Sequence, residues 1–131
     1  MQHYDVGACT DITGFGLLGH AYEMSFNRVS IAFDINAIPI VEEAKMMASM
    51  GIIPAGAYAN KSYISAYVEA TKAHEDEIIL YDAQTSGGLL IAVSQKDAPK
   101  LLEHLHSEGL VYSRIIAEIL PRGTTALIIK A

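Results

Sequence analysis

Cysteine and tryptophan are nearly missing from this chain, which has one cysteine and no tryptophan. A single cysteine excludes an internal disulfide and any zinc site built from several cysteine ligands. Proline is scarce too, at four residues, and no proline-, glycine- or serine-rich linker divides the sequence. We therefore expect the 131 residues to form one domain, residues 1–131, with a core of its own.

Basic residues are the second shortage. Nine lysine and arginine residues stand against fifteen aspartate and glutamate residues, which gives a net charge of −6. Binding to the phosphate backbone of a nucleic acid needs basic patches, so the sequence predicts no nucleic-acid partner. Any anionic ligand must instead be held locally, by backbone amides or by a bound metal ion.

Long hydrophobic runs are also missing, although 51% of the residues are hydrophobic. No apolar run approaches the ~18 residues of a membrane-spanning helix. The start of the sequence, Met-Gln-His-Tyr-Asp, lacks the basic residues and the apolar run of a signal peptide. From these patterns we expect a cytoplasmic protein without membrane association.

Three segments have the apolar spacing of amphipathic helices. They cover about residues 14–27, 40–50 and 94–109. In the second of them, Met46, Met47 and Met50 are predicted to fill the core. The stretch 52–62 contains proline, glycine and asparagine and is predicted to be a long loop. The pattern of residues 63–82 does not distinguish a helix from a strand.

Strand patterns occupy much of the remainder. Period-two alternation marks residues 29–35, and an apolar run marks Leu89–Val93. Ser113–Leu120 and Thr125–Lys130 are predicted to be two strands that a Pro-Arg-Gly turn joins as a hairpin, and residues 1–10 are predicted to be extended or irregular. Interleaved helices and strands with a terminal hairpin indicate the α+β class, with a mixed or antiparallel sheet covered by helices.

The segment from Asp11 to His20 has the strongest functional pattern, Asp-Ile-Thr-Gly-Phe-Gly-Leu-Leu-Gly-His. Magnesium prefers oxygen ligands, usually one or two carboxylates with phosphate and water, which makes Asp11 the candidate metal ligand. Thr13 is a candidate for a further hydroxyl contact, and the amides of Gly14 and Gly16 lie at a helix start that favours anions. The residues alone also allow a simpler interpretation, in which Asp11 or Thr13 caps the helix and the glycines permit close packing.

A second pattern runs from Tyr81 to Ala92 and reads Tyr-Asp-Ala-Gln-Thr-Ser-Gly-Gly-Leu-Leu-Ile-Ala. Its hydroxyls, from Thr85 and Ser86, and its paired glycines could form a small anion-binding nest. The simpler interpretation is a turn that enters a strand, with the Ser and Thr side chains bonded to their own backbone. For most of these residues the pattern favours the turn.

Together the two segments resemble selenophosphate synthetase (selenide, water dikinase), a branch of the ATP-dependent aminoimidazole-ribonucleotide-synthetase-like superfamily. Thr-Gly-Phe-Gly-Leu followed by Gly-His is similar to the family signature. The second segment is similar to the family's Asp-Pro-Gln-Thr-Ser-Gly-Gly-Leu-Leu block, with Ala83 in place of the proline. The resemblance covers nearly all of the chain and corresponds to only the C-terminal half of the family's chain. It implies the C-terminal α+β domain of that superfamily.

The resemblance also implies a reaction and a site. The full-length protein would make selenophosphate, AMP and phosphate from ATP, water and selenide. Asp11 would supply one ligand of a Mg²⁺ cluster. The wall that faces the ATP phosphates would consist of Thr13, Gly14, Phe15 and Gly16.

The rest of the machinery is expected in an N-terminal domain that has no counterpart in this chain. That domain would hold the other carboxylate ligands, a glycine-rich loop, a reactive cysteine or selenocysteine, and the core of a homodimer. We therefore assign no catalytic residue here, Cys9 included, and expect the isolated chain to fold but to be inactive. His20 is expected to make a structural hydrogen bond, whereas Asn60 either touches a ligand or orders its loop.

Two other functions stay open. The chain could be the C-terminal domain of another ATP-using member of the superfamily, such as a hydrogenase-maturation or thiamine-phosphate kinase relative. The spelling at Phe15 argues against that alternative. The chain could also be a non-catalytic binding or dimerisation module.

Overall fold

The computed structural model describes residues 3–131, and residues 1 and 2 of the predicted extended segment lie outside it. Strands and helices alternate along the described chain. In order they are β1 (Val6–Asp11), α1 (Gly16–Ser25), β2 (Val29–Asp34), α2 (Glu42–Ser49), α3 (Ala55–Ile64), β3 (Val68–Ala70), β4 (Leu89–Val93), α4 (Ala98–Ser107), β5 (Ala117–Pro121) and β6 (Leu127–Lys130). A 3₁₀ segment, Glu75–Tyr81, lies between β3 and β4.

The strands form two sheets. The larger has four strands in the order β3-β6-β2-β5, and β1 pairs with β4 in a separate antiparallel ribbon. In the larger sheet β2 is antiparallel to β5 and parallel to β6, and β3 is parallel to β6. The predicted α+β class with a mixed sheet is therefore confirmed.

The predicted hairpin of the last two strands is wrong, because β5 and β6 lie on opposite sides of β2. Ile31 in the middle of β2 pairs with Ile119 of β5 and with Leu127 of β6. The buried Ser30 side chain holds the intervening turn, since its hydroxyl donates to Thr125 O at 2.7 Å and accepts from Gly123 N at 2.9 Å. A turn sequence indicates a change of direction, and it does not indicate which strands pair.

The predicted loop at 52–62 is also wrong, because most of it is α3. Pro54 directly precedes the helix with φ −58°, and a proline is tolerated there because the first helical N–H groups have no partner within the helix. Gly56 lies in the first turn. Ala57 and Ile64, seven residues apart on one face, are buried. The residues that usually break helices therefore sit only where a helix accepts them.

The predicted core position of the α2 methionines is wrong as well. Met46, Met47 and Met50 are 56%, 48% and 67% exposed, and α2 has no buried residue. The half-buried side of α2 instead carries Ala44 and Lys45, and the Lys45 ammonium lies 3.9 Å from the Asp76 carboxylate. Spacing showed that the methionines share a helix, but not which side of it packs.

One hydrophobic core lies between the four-stranded sheet and a layer made of α1, α3 and the 3₁₀ segment. Its members come from β2, β6 and the residues next to them, and from the helical layer: Leu18, Ala21, Ile31, Phe33, Ile35, Ile64, Leu80, Tyr81, Ala126, Leu127 and Ile129. This layer places the start of α1 beside the end of the 3₁₀ segment, which is where the two sequence patterns meet. Across residues 3–131, no helix combines the length and the apolar character that crossing a lipid bilayer requires.

Candidate functional site

The two sequence patterns form one continuous surface. Strand β1 ends at Asp11, which pairs in register with Leu89 at the start of β4. Just beyond the strands, Ile12 N donates to Gly88 O at 2.9 Å and Gln84 N donates to Thr13 O at 3.0 Å. The structure thus joins segments that lie about seventy residues apart in the sequence, and sequence reasoning did not predict this contact.

Two glycines make this contact possible. Gly16 has φ +72°, and a Cβ there would lie 2.7 Å from the Tyr81 carbonyl carbon. A Cβ on Gly87 would lie 2.7 Å from Ile12 O. The close-packing interpretation of the glycines therefore holds at Gly16. By contrast, nothing lies within 4 Å of a Cβ built on Gly14, so the loop is open at that residue.

The capping interpretation of the first pattern is wrong. The residue that precedes α1 is Phe15, and no side chain caps this helix. Asp11 lies before the loop, is exposed, and neither accepts a hydrogen bond through its carboxylate nor pairs with a cation from residues 3–131. An exposed, unpaired carboxylate fits the donor chemistry of a single Mg²⁺ ligand. The described part of the chain brings no three His, Cys, Asp or Glu residues together as a metal site.

His20 makes the structural hydrogen bond predicted for it. Its Nε2 lies 2.9 Å from Thr13 Oγ1, and its Nδ1 lies 3.5 Å from the Glu23 carboxylate. The contact between the His20 and Thr13 side chains orients the Thr13 hydroxyl beside the loop.

Phe15 places an exposed aromatic side chain beside this loop. The side chain is 47% exposed. Its ring stacks on Tyr63 with centroids 6.1 Å apart and meets the His20 ring at a tilt, at 5.7 Å. Gly19 accommodates the side chain, since a Cβ on Gly19 would lie 2.7 Å from Phe15 Cβ. The ring therefore has a fixed place at the start of α1.

Asn60 bridges the two patterns from the middle of α3. Its Nδ2 donates to Gly14 O at 2.8 Å and to Tyr81 O at 2.9 Å. The sequence left open a ligand contact or an ordering of its own loop. The residues around Asn60 are helical, and its contacts instead order the Gly14 loop. The predicted loop at 52–62 hid this residue; once the segment is known to be helical, an asparagine in its interior stands out, because asparagine is a poor helix former.

Several polar and charged side chains lie at the end of the 3₁₀ segment, next to the loop that follows β1. Burial raises the pKa of Tyr81 to about 12, and the negative charge of Glu77 adds to the shift. Lys61 lies 5.4 Å from the centre of the Tyr81 ring and 3.1 Å from the Glu77 carboxylate. Asp82 Oδ1 is buried with no hydrogen-bond partner among residues 3–131, a costly state for a carboxylate oxygen. Sequence reasoning did not single out this oxygen.

The chain matches a known class of domain. The family described as AIR synthase related protein, C-terminal domain, matches residues 1–130. The chain therefore belongs to this family.

The similar relatives carry a more specific name than the family, and this name confirms the resemblance seen in the sequence. The chain is 52% identical over 111 residues to the selenide, water dikinase of Caldanaerobacter subterraneus, covering 82% of this chain and 32% of the relative. It is 46% identical over 125 residues to the selenide, water dikinase of Clostridioides difficile, covering 93% and 36%. It matches the C-terminal portion of these relatives and spans about a third of their length.

Solved structures show the same fold at lower identity. HypE of E. coli, a hydrogenase maturation protein, superposes with a TM-score of 0.56 at 21% identity. The match covers 93% of this chain and 31% of HypE. This likeness supports the fold of the chain and does not extend to its substrate.

Proposed function

We propose that this chain is the C-terminal domain of a selenide, water dikinase that makes selenophosphate, AMP and phosphate from ATP, water and selenide. The observation that carries the proposal is Asp11, which is exposed and unpaired among residues 3–131 and lies at the start of a loop that contacts the second pattern. The names and the 46–52% identity of the relatives point to the same reaction. The likeness to HypE supports the fold alone, so it does not favour a hydrogenase-maturation function.

The chain's own residues would act by positioning. Asp11 would hold one Mg²⁺ ion at the end of β1, and the Thr13 hydroxyl, oriented by His20, would lie beside it. When bound, the ion would neutralise the charge of the transferring phosphate. The remaining ligands, the nucleophile and the dimer core would come from an N-terminal domain of the same protein.

The phosphate-facing wall would consist of Thr13, Gly14, Phe15 and Gly16. Gly14 is exposed and leaves the loop open, so a phosphate group can approach the backbone there. The Gly16 amide already donates to Thr13 O at 3.1 Å, so it is not the open donor that the sequence predicted. Gly16 would contribute shape, because its lack of a Cβ lets the loop lie against Tyr81.

The test is Asp11→Asn in the full-length protein, with selenide-dependent AMP formation as the readout. We expect turnover to fall by roughly 100-fold or more, because a metal-bound charge contributes several kcal/mol to the transition state. The melting temperature should hardly change, because the side chain is exposed. Asp5→Asn, an exposed carboxylate just before the same strand, is the matched control and should keep full turnover.

Near-normal turnover of Asp11→Asn would refute the metal role. The isolated chain, residues 1–131, should fold and form no AMP. Selenide-dependent AMP formation by it would contradict the proposal that the nucleophile and the remaining ligands come from an N-terminal domain. A full-length protein that consumes ATP with another substrate and ignores selenide would favour a different member of the superfamily. A full-length protein without any ATP-dependent turnover would favour a binding module.

A further inference from the structure

Asn60 uses both N–H donors of its side-chain amide to join the two halves of the site. A side-chain amide has two N–H hydrogens, and Nδ2 of Asn60 contacts two carbonyls, Gly14 O at 2.8 Å and Tyr81 O at 2.9 Å. Both acceptors belong to the segments that form the candidate site. Asn60 itself is half-buried on α3, so it is well placed to act from behind the loop.

Holding the Gly14 carbonyl also fixes the direction of the next amide. The carbonyl of Gly14 and the N–H of Phe15 belong to one planar trans peptide unit, so they point in opposite directions. With its carbonyl turned towards Asn60, this unit turns the Phe15 N–H away from α3. No acceptor within residues 3–131 receives that N–H, and both Gly14 and Phe15 are exposed.

We infer that Asn60 is a positioning residue, which orients the Gly14–Phe15 peptide so that the Phe15 N–H faces a bound phosphate group. The inference rests on the proposed function for the identity of the substrate. Other contacts already bring the segments together, such as the bond from Gln84 N to Thr13 O. What Asn60 adds is the orientation of one peptide unit beside Asp11.

The kinetic test compares Asn60→Ala, Asn60→Asp and Asn60→Gln in the full-length protein. We expect kcat at saturating ATP and Mg²⁺ to fall about 10- to 100-fold in the Ala and Asp variants, because a small misplacement of a catalytic contact has effects of this size. The Asp variant tests the donor, since a carboxylate of the same shape cannot donate. The Gln variant keeps the amide and should recover part of kcat.

Two controls separate positioning from stability. Ser62→Ala changes an exposed residue of the same helix and should keep kcat within twofold. Ile129→Val trims a fully buried side chain of β6 far along the chain and lowers the melting temperature without touching the loop. If Ile129→Val loses as much kcat as Asn60→Ala at a similar melting temperature, or if Asn60→Ala stays within twofold of wild type, the inference is overturned.

A second readout does not depend on selenide chemistry. In the full-length protein labelled with ¹⁵N-phenylalanine, magnesium pyrophosphate should shift the Phe15 amide resonance of the wild type, and Asn60→Ala should abolish this shift. If the wild type makes no selenide-dependent AMP but shows the shift, and Asn60→Ala loses it, the proposed function fails and the positioning role stands. If pyrophosphate leaves the wild-type Phe15 amide unmoved, or shifts it equally in Asn60→Ala, the positioning role fails.

Discussion

Individual glycines of this chain differ in backbone conformation and in the space around them. Gly16 has a left-handed backbone and touches Tyr81, whereas Gly14 has open space where a side chain would be. Gly51, at the end of α2, is left-handed at φ +76° but equally open. Substitutions at these three positions can therefore distinguish the effect of a left-handed backbone from the effect of a close contact. A sequence pattern of glycines does not distinguish them.

Gly16→Ala should be strongly destabilising. We expect a loss of roughly 2–5 kcal/mol in the free energy of unfolding, the sum of left-handed strain of about 1–2 kcal/mol and overpacking of about 1–3 kcal/mol. Gly51→Ala should lose only the strain, about 1–2 kcal/mol. Gly14→Ala should stay within about 0.5 kcal/mol of wild type. Urea unfolding of the three variants measures this order, and equal losses at Gly16 and Gly51 would contradict the close contact.

The sequence revealed some site residues and hid others. A carboxylate followed by a glycine-rich turn made Asp11 a candidate, and the structure leaves its carboxylate exposed and unpaired within residues 3–131. The hydrogen bond of His20 was predictable, because a buried imidazole needs a partner. Asn60 gave only a weak signal, because its two acceptors are backbone carbonyls 46 and 21 residues away. Backbone acceptors carry no residue type that a pattern could match.

At the scale of elements, β2 organises the larger sheet. It pairs with β5 on one side and β6 on the other, and four of its six residues are buried. Its period-two pattern predicted a strand that is buried on one side, yet the structure buries the four consecutive residues 30–33. Local alternation does not distinguish a central strand from an edge strand.

Phe33→Ala in β2 should strongly lower the free energy of unfolding. Phe33 is fully buried in the core, and such truncations cost about 3–5 kcal/mol. Ile119→Ala in the adjacent β5, where the side chain is 50% exposed, should cost about 1 kcal/mol or less. Thermal unfolding followed by circular dichroism compares the two, and similar losses would contradict the difference in burial between these side chains.

The helices show the same division between local and tertiary information. The pattern after Ser94 predicted α4, and Gly109 follows its end with φ +91°. The interior of α3 was missed because Pro54 and Gly56 resemble loop residues when their position in the element is unknown. The methionines of α2 were misplaced because an exposed methionine face has the same spacing as a buried one.

For the whole molecule, Tyr81 links global stability to alkaline pH. Its folded pKa of about 12 lies above the ordinary value of 10.0, so the folded state holds the phenol proton more tightly than the unfolded state. The stabilisation is therefore complete below pH 10 and is lost as the pH rises towards 12. We expect the free energy of unfolding to fall over this range, as measured by urea titrations at several pH values.

Tyr81→Phe should flatten this pH dependence, because the ring stays and the titrating group is gone. Tyr22→Phe is the control: the pKa of Tyr22 is also raised, first by desolvation and then by the neighbouring Tyr67, but its side chain is less buried. Its removal should flatten the curve less. If the free energy of unfolding of Tyr81→Phe falls with pH as steeply as that of the wild type, another group causes the loss of stability.

The sequence by itself determined the class of the fold, most helices and strands, and the chemistry of the two motif segments. These depend on short-range periodicity and residue type, which are local properties of the chain. Only the tertiary structure decided that β5 and β6 flank β2, that the two motif segments touch, and that Asn60 bridges them. Such contacts depend on which buried surfaces fit together across the whole chain, and hydrogen bonds to backbone carbonyls leave no pattern in the sequence.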